Sequence, residues 1–418
     1  MNIKHNEYDL IILGSGMVGS ALACALSESS LKIALLDFKA PDIKWPIDGF
    51  DLRVSALTYA SQQILDHIGA WQYMLKRRVS PFNQMHVWDA TGHGEINFNS
   101  EDIGASQLGH IVENRVTLGA LFDVIKTKTN IDYIEPAIAT ELIHTTDGIR
   151  LKLNDDTVLS AKLIVGADGA RSWLRSQAGI QINTRDYEQK GLVTTVKTSG
   201  SHQQTARQRF LPTGPLAFLP LTENHCSIVW STSHEEAERL LKLSEKEFIT
   251  ELQNAIGETP LGEIESISQR GAFPLRKQHA EHYCKPNLVL VGDAAHTIHP
   301  LAGQGVNLGL LDIATLAEEI LDACDKNRNF SDYQVLRRYE RRRKGDNTLM
   351  LSAMDGFHLL FANENKMLSN IRNIGLGITN SLTPVKSRFI EHAMGINRKI
   401  PLVHQQTYKS HFAQPIKL

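Results

Sequence analysis

The sequence predicts an α/β fold in which a Rossmann-like domain is interleaved with a mostly antiparallel second sheet and followed by a helical C-terminus. Three observations predict it. An apolar strand leads into a glycine-rich turn at residues 14–19, short alternating segments fill residues 191–279, and a second glycine-rich loop joins a strand to a long helix at residues 292–309. Strand, loop and helix in succession are typical of parallel sheets, whereas short alternating strands are typical of antiparallel ones.

Composition excludes several classes of protein. The 418 residues are enough for more than one domain or for one large composite domain. The net charge of −2 offers no electrostatic argument for nucleic-acid binding. The four scattered cysteines have no CxxC spacing, which argues against a disulfide framework or a zinc site and makes a cytoplasmic location the default. No apolar run approaches the roughly 18 residues of a membrane span, and no signal peptide is apparent.

The first motif is a strand, a glycine-rich turn, a helix and a second strand that ends on an acid. Gly14 permits the tight turn, Gly16 lets the backbone approach a pyrophosphate, and Gly19 lets the helix pack on the strand. Asp37, which follows the second strand, is well placed to accept hydrogen bonds from ribose hydroxyls. Together these features predict dinucleotide binding, without separating FAD from NAD.

The second motif reads Gly-Asp-Ala-Ala-His-Thr-Ile-His-Pro-Leu-Ala-Gly-Gln-Gly-Val-Asn-Leu-Gly and spans residues 292–309. Asp293 stands at the carboxyl end of a strand, where it can accept hydrogen bonds from ligand hydroxyls. The free amides of residues 303–307 open the next helix and form a site for negative charge. The alternative is an ordinary strand-to-helix loop in which glycine only supplies turn geometry.

Two further segments carry candidate binding residues. Asp168 follows a buried strand in a glycine-flanked turn beside Arg171 and Ser172, which suits contact with phosphate and ribose; a β-turn capped by Asp is the alternative. Arg53 precedes an amphipathic helix, from which it would reach a flavin or a pyrophosphate, or serve as a surface arginine. The spacing favours neither interpretation of Arg53.

The middle of the chain predicts the second sheet. Residues 85–88 and 95–98 alternate around a turn and predict a hairpin, and a single helix is expected over residues 235–256. Phe210, Phe218, Trp230 and Phe273 supply apolar groups that would suit a pocket, although core packing is the commoner role of such residues.

The last part is predicted to be helical and basic. Residues 337–344 carry a run of arginines that we expect to form one charged helix face, solvated or salt-bridged to the body. Residues 349–360 are amphipathic and would cover the core, contact a membrane surface or meet a partner. Asp293, His296 and His299 are spaced by three like metal ligands, but Pro300 argues against a continuous helix there, so we expect no metal.

With these segments in view, the chain resembles the single-component FAD-dependent aromatic hydroxylases from about residue 8 to about residue 396. The glycine-rich turn at 14–19, the Asp168-Gly169 turn and the Gly292-Asp293 loop carry the resemblance. It implies a fold of the p-hydroxybenzoate hydroxylase type with three parts: an FAD-binding domain (1–78, 110–183 and 284–345), a substrate domain (79–109 and 184–283), and a C-terminal helical region and tail (346–418).

Within that family, the chain is similar to the ubiquinone-biosynthesis branch at residues 108–114, 216–221, 292–309 and 336–341. Residues 51–57 and 226–230 most resemble the polyprenylphenol hydroxylases that act at ring position 5. Enzymes for other ring positions share most of these motifs, so hydroxylation elsewhere on the ring is the alternative. A non-catalytic flavoprotein in the biosynthetic assembly, and a flavin dehydrogenase or oxidase, are the other functions considered.

The resemblance also implies cofactors, partners and roles. FAD would bind, NAD(P)H would reduce it, and a flavin C4a-hydroperoxide formed with O2 would hydroxylate a polyprenylphenol, so no catalytic side chain is assigned. The implied partners are other ubiquinone-biosynthesis proteins, with peripheral contact at the inner membrane, and no nucleic acid. The implied FAD-binding residues are Gly14, Gly16, Met17, Val18, Gly19, Asp37, Arg53, Arg115, Asp168, Gly292, Asp293, Pro300, Gly303, Gly305, Val306 and Asn307. Pro300, Gly303, Gln304 and Gly305 would lie near the flavin ring, and Phe210, Phe218, Leu219 and Pro220 would line the substrate pocket.

Overall fold

The structure is a computed structural model and describes residues 5–44, 49–92, 94–298, 305–361, 394–395 and 400–403. Its strands are β1 His5–Leu13, β2 Ile33–Leu36, β3 Val54–Leu57, β4 Ser80–Phe82, β5 Gln84–Asp89, β6 Glu95–Asn99, β7 Gly109–Glu113, β8 Ile131–Ile134, β9 Ala139–Thr145, β10 Gly148–Leu153, β11 Val158–Gly166, β12 Ile182–Thr198, β13 Thr205–Leu211, β14 Gly214–Pro220, β15 His225–Ser233, β16 Ile264–Ile267, β17 Gly271–Ala280, β18 Cys284–Lys285, β19 Leu288–Leu290 and β20 His296–Thr297. Its helices are α1 Met17–Ala25, α2 Tyr59–His67, α3 Trp71–Leu75, α4 Asn114–Ile125, α5 Trp173–Gln177, α6 His234–Lys242, α7 Glu245–Ile256, α8 Gly305–Asp325 and α9 Tyr333–Phe361.

The first sheet is the predicted Rossmann-like one. Its strands follow the order β18-β19-β11-β1-β2-β8, and β19, β11, β1, β2 and β8 run parallel to one another. Helix α1 packs against both α4 and α8. Leu10, Ile11 and Ile12 are fully buried, as expected of a parallel strand covered on both faces.

The second sheet is mostly antiparallel, as predicted, with the strand order β20-β17-β12-β15-β14-β13-β5-β6. The predicted hairpin is the antiparallel pair β5 and β6, and β5 joins the sheet by running parallel to β13. One face of this sheet packs on α6 and α7, around Phe218, Trp230 and Phe248. The other face packs toward a small third sheet of β3, β7 and β4.

The prediction of a single helix over residues 235–256 is wrong. The structure has two helices, α6 and α7, because Leu243 is extended and Ser244 begins a new helix. The Ser244 side chain accepts from the backbone N–H of Glu247, whose carboxylate in turn accepts from the Ser244 N–H. Such a capping box satisfies free amides and favours a helix start at that residue.

The two large sheets meet beside the second glycine-rich motif. Strand β17 pairs along β12 and, at Gln278 and His279, with β20, which follows the Gly292-Asp293 turn.

Helix α9 runs without a break across residues 345 and 346, where a domain boundary was predicted. The domain boundaries predicted above therefore stay a proposal. Among the described residues, no helix is both long enough and apolar enough to cross a membrane.

Candidate active site

Three loops converge at the carboxyl edge of the parallel strands. The Ala167 N–H donates to the Leu13 carbonyl at 2.8 Å, which joins the turn after β11 to the one after β1. The Val291 N–H donates to the Gly166 carbonyl at 3.0 Å, which adds the turn after β19. The parallel topology thus brings together the three motifs recognised in the sequence, which lie more than a hundred residues apart.

Some glycines at this edge are required by close packing. A Cβ on Gly19 would lie 1.9 Å from the Gly14 carbonyl oxygen, and one on Gly14 would lie 2.4 Å from the Ala167 oxygen. Val18 fills the space beside Gly292 and Gly309, where a Cβ would lie 3.1 Å and 2.6 Å from its methyl carbons. Val18 therefore packs the first motif against the second, whereas Gly14 packs against the turn that carries Asp168.

Other glycines face open space. In the part of the chain that the structure describes, neighbouring residues aside, no heavy atom lies within 4 Å of the place that a Cβ would occupy on Gly16, Gly169 or Gly305. Gly16 is also the N-cap of α1, and no side chain caps that helix. Exposed amides at a helix start bind phosphate, and an uncrowded backbone lets a ligand approach closely. This combination fits the pyrophosphate and ring of a bound FAD.

Asp37 and Asp168, the acids that follow β2 and β11, differ in their partners. Asp37 Oδ2 accepts from the N–H and the hydroxyl of Ser15, at 2.7 and 2.8 Å, so that within the described residues Oδ1 is left for a ribose hydroxyl. Asp168 Oδ2 accepts from the Leu174 N–H at 3.1 Å, but its Oδ1 is buried and has no hydrogen-bond partner in the described part of the chain. A buried, unpartnered acceptor is costly unless a ligand donates to it.

We infer that Asp293 lies in a cleft, because its side chain is exposed although protein atoms surround it closely. Its surface is exposed, yet burial by the surrounding atoms raises the pKa of its carboxyl, against the positive charges of His296 and Arg53. An exposed surface amid dense surroundings is expected of a carboxylate at the bottom of a cleft. Arg53 also lies 5.5 Å from the ring centroid of the half-exposed Phe273. The structure thus brings Arg53 to the cleft, which the sequence did not decide.

The loop that carries Arg53 is anchored by a buried ion pair that sequence reasoning missed. Glu113 accepts from the Asp51 N–H at 2.7 Å and from Arg78 Nε at 2.7 Å. Arg115 binds protein carboxylates, with Nη2 at 3.1 Å from Asp42 and Nε at 3.5 Å from Asp51. A side chain engaged in this way holds the loop, so any contact with FAD would compete with these partners.

The start of α8 is described only from Gly305 onward. Asn307 does not direct its side chain at the cleft: Oδ1 accepts from the Thr58 N–H and the Ser61 hydroxyl, and Nδ2 donates to the Ala56 carbonyl. It therefore docks α8 on β3 and α2. Val306 is buried in the first core and Met17 packs against it. Pro300, Gly303, Gln304 and His299 lie outside the described residues.

The four residues expected to line the substrate pocket lie on two opposite faces of the second sheet. Leu219 packs with the cluster toward β3, β4 and β7, whereas Phe218 packs beneath α6 and α7. Side chains alternate along a strand, so Pro220 shares the face of Phe218, and Phe210 shares the face of Ala206 and Leu219. Phe218 therefore packs in the helix-covered core, with Pro220 on the same face of the sheet, and Leu219 and Phe210 lie on the face toward the third sheet. The pocket assignment stays a prediction.

The basic run on α9 is salt-bridged to the body of the protein, which confirms one of the two predicted alternatives. Arg342 and Arg338 bind Glu319 at 2.8 Å each. Arg343 departs from the pattern, because its guanidinium is buried and binds Asp312 in the middle of α8 at 2.8 Å. Sequence reasoning missed Asp312, although a lone acid within an apolar helical stripe is a usable signal.

Comparisons with known proteins agree with this geometry. A family described as an FAD-binding domain matches residues 7–350. The ubiquinone hydroxylase UbiL of Rhodospirillum rubrum is 36% identical, over 93% of this chain and 89% of the relative. The ubiquinone biosynthesis monooxygenase COQ6 of Dictyostelium discoideum is 32% identical over 94% and 92%. The 3-demethoxyubiquinol 3-hydroxylase of Escherichia coli is 34% identical over 93% and 98%.

Solved structures share the fold. PqsL of Pseudomonas aeruginosa, a probable FAD-dependent monooxygenase, superposes with a TM-score of 0.75 at 20% identity, covering 90% of this chain and all of PqsL. The p-nitrophenol 4-monooxygenase PnpA of Pseudomonas putida superposes with a TM-score of 0.76 at 15% identity, covering 95% of this chain and 99% of PnpA.

Proposed function

This chain belongs to the FAD-binding-domain family of monooxygenases, and on that premise we propose that it hydroxylates the aromatic ring of a polyprenylphenol in ubiquinone biosynthesis. One observation carries the proposal: relatives named for ubiquinone hydroxylation are 32–36% identical along more than nine-tenths of the chain. The reaction consumes the phenol, O2, NAD(P)H and a proton, and gives a catechol, water and NAD(P)+. We assign the attack to ring position 5, as the resemblance at residues 51–57 and 226–230 suggests.

Named residues would hold the cofactor. The amides after Gly14 and at the start of α1 would bind the pyrophosphate, Asp37 a ribose, and Asp293 the ribityl chain. The N–H groups at the start of α8 would face the edge of the flavin ring that becomes negative on reduction, where helix-end dipoles stabilise charge. When bound, FAD supplies the redox and oxygen-activating chemistry.

The protein's own contribution is to orient the substrate and exclude water. The cluster between the second and third sheets contains Leu219 and Leu221, with Phe50, Val54 and Met85 packed against it. Such a lining suits an aromatic ring with an apolar tail, and a dry site protects oxygenated intermediates from side reactions. Delivery of a lipid tail would be served by peripheral contact with the inner membrane and with other enzymes of the pathway, which we include in the proposal.

The reductant would bind without a domain of its own. The sequence contains one strand–GxGxxG–helix unit, at β1 and α1; Gly375-Leu-Gly377 is a second glycine pair but follows no strand-like run, and it lies outside the described residues. NAD(P)H would therefore approach the flavin from the open cleft. Oxygen consumption with NADH and with NADPH, each measured with and without a phenol, tests this part and separates a hydroxylase from an oxidase.

A second candidate is hydroxylation at another ring position. The Escherichia coli relative, 34% identical over 93% of this chain, is named a 3-demethoxyubiquinol 3-hydroxylase. The three glycine-rich motifs would hold the cofactor whichever ring carbon is attacked, so they do not separate the two candidates.

Complementation distinguishes these candidates. Strains that each lack one ring hydroxylase would receive this chain, and the accumulated quinone intermediates would be read by mass spectrometry. Rescue of the strain blocked at ring position 5 is expected. Rescue of another strain would support the hydroxylation reaction but assign it to a different ring carbon. Rescue by a variant that binds no FAD, such as Gly305→Leu, would point to the non-catalytic role. Failure to rescue any strain, with FAD bound, would contradict the proposed substrate.

A further inference from the structure

Asp312 is the centre of a buried polar cluster directly beneath the Gly292-Asp293 turn. Its side chain is fully buried in the middle of α8, among apolar neighbours. Oδ2 accepts from the Gly292 N–H at 3.1 Å and from His296 Nε2 at 2.5 Å. Oδ1 accepts from Arg343 Nε at 2.8 Å and from Asn347 Nδ2 at 3.2 Å. Both oxygens are therefore fully engaged.

The cluster holds an ionised carboxylate. Burial acts to raise the pKa of Asp312, but the positive charges of His296 and Arg343 outweigh it and hold the pKa well below its ordinary value. An ionised carboxylate only accepts hydrogen bonds, so His296 Nε2 is the donor in its short contact. A buried charge whose every partner is a donor is bound in one orientation.

We propose that Asp312 is a positioning residue for FAD, because it sets the direction of the Gly292-Asp293 turn from which the Asp293 carboxylate reaches the cleft. Gly292 has a φ of +57°, and within the described residues the only acceptor of its N–H is Asp312. Rotation of the peptide before Gly292 would break that bond and swing Asp293 away. The inference rests on the proposed function only in requiring that FAD binds.

Other contacts brace the same turn from different sides, which isolates what Asp312 adds. Arg175 donates to the Ala294 carbonyl and to the Ala170 carbonyl, at 2.9 Å each, and so joins the Asp168 turn to this one. The Ala280 N–H donates to the Ala295 carbonyl at 2.8 Å. Both of these contacts hold the carbonyls after Asp293, whereas Asp312 holds the amide before it.

The cluster also links the turn to the second sheet and to α9. His279 is the β17 partner of His296. Its Nε2 lies 2.8 Å from the Tyr283 hydroxyl, which in turn lies 3.3 Å from Asn347 Nδ2. Asp312 therefore connects the cofactor turn to the sheet that carries the substrate pocket, so a change at Asp312 should affect both flavin orientation and its coupling to substrate.

The test compares Asp312→Asn with Glu319→Gln. Glu319 is a matched control because it is a buried acid on the same helix, bound by Arg338 and Arg342 of α9, and does not touch the turn. In Asp312→Asn, one carboxylate oxygen is replaced by an NH2 group, which donates and cannot accept. That NH2 group would face either the Gly292 N–H or Arg343, both of which are donors. FAD would be titrated into the full-length apoprotein, and the visible circular dichroism of the bound flavin and the ratio of hydrogen peroxide to hydroxylated product would be measured.

We expect Asp312→Asn to weaken FAD binding about ten-fold or more, to change the flavin dichroism and to raise the peroxide fraction. Glu319→Gln should lower the melting temperature and leave the FAD affinity, the flavin dichroism and the peroxide fraction unchanged. Equal FAD affinity and an unchanged dichroism in Asp312→Asn would overturn the proposal. If that variant does not fold, His296→Leu, which retains the Asp312–Gly292 bond but removes the second donor to Asp312 Oδ2, should show the same changes in smaller measure, and its failure to do so would overturn the proposal equally. FAD titration and dichroism do not depend on the phenol, so a wrong substrate assignment would leave these outcomes intact.

Discussion

Val18 occupies the space that a side chain at Gly309 would need, since a Cβ on Gly309 would lie 2.6 Å from Cγ2 of Val18. This contact presses the first turn of α1, which belongs to the first motif, against α8, which belongs to the second. The two helices that begin at the proposed cofactor site, α1 and α8, can therefore approach this closely because Gly309 has no side chain.

Gly309→Ala should therefore destabilise the protein by about 1–3 kcal/mol, although Ala is the better helix former, because a β-branched side chain in a helix cannot rotate away. Urea unfolding of the apoprotein measures this loss. Val18→Ala/Gly309→Ala should recover most of it. Gly345→Ala, at an exposed position of α9 where no atom of the described residues lies within 4 Å of the added Cβ, should not destabilise the protein. A Gly309→Ala protein as stable as the wild type would refute the packing argument.

Gly305→Leu should fold normally and lose FAD. Among the described residues no atom lies within 4 Å of the added Cβ, and the rest of the side chain would extend into the space that we assign to the flavin. The expected result is a melting temperature close to that of the wild-type apoprotein with little flavin absorbance after purification. Gly345→Leu adds the same side chain to another uncrowded helix position away from the cleft, and should retain FAD. Normal FAD content in Gly305→Leu would sink the assignment of this space.

Neighbouring residues of β14 should respond differently to substitution, because they face opposite sides of the second sheet. Phe218→Leu should cost about 1–2 kcal/mol of stability through the helix-covered core and leave the KM for the phenol unchanged. Leu219→Ala should raise that KM several-fold and increase uncoupled peroxide. Steady-state kinetics and urea unfolding of both variants check the contrast, and a KM effect from Phe218→Leu would show that Phe218 does line the pocket.

Stability should fall on mild acidification because of His110. Burial lowers the pKa of His110 from 6.5 to about 4, and its Nδ1 is buried without a hydrogen-bond partner among the described residues. Between these two values the unfolded chain binds a proton that the folded protein does not. The contribution of His110 to the free energy of unfolding is therefore complete above pH 6.5. It declines as the pH falls toward 4, by up to about 3 kcal/mol.

His110→Leu should remove that component of the pH dependence, measured as urea midpoints at pH 7, 6 and 5. Burial also lowers the pKa of His279 to about 4, so part of the decline should persist in the variant. His144→Gln, at an exposed strand position, is the control and should follow the wild type. A full wild-type decline in His110→Leu would show that this histidine does not contribute.

Much of the architecture was predictable because it depends on local pattern. The run from Leu10 to Leu13 predicts a strand buried on both faces, and the glycines that follow predict a turn toward a helix; both are confirmed. The alternation at residues 85–88 and 95–98 correctly predicts a hairpin. Local pattern did not locate the break between α6 and α7, since the apolar spacing continues across Ser244 and a capping box decides the helix start.

The sequence by itself determined the fold class, the three motifs and the chemistry that they suit, because glycines, acids and strand periodicity act over a few residues. Only the tertiary structure decided which candidates face the cleft. Asn307 and Phe218 are directed elsewhere, by bonds to Ser61 and by packing beneath α6 and α7. Arg53 is brought to Asp293, and Asp312 meets Arg343 beneath the turn. These contacts join residues tens to hundreds of positions apart, so they depend on how sheets and helices pack and leave no local signature in the chain.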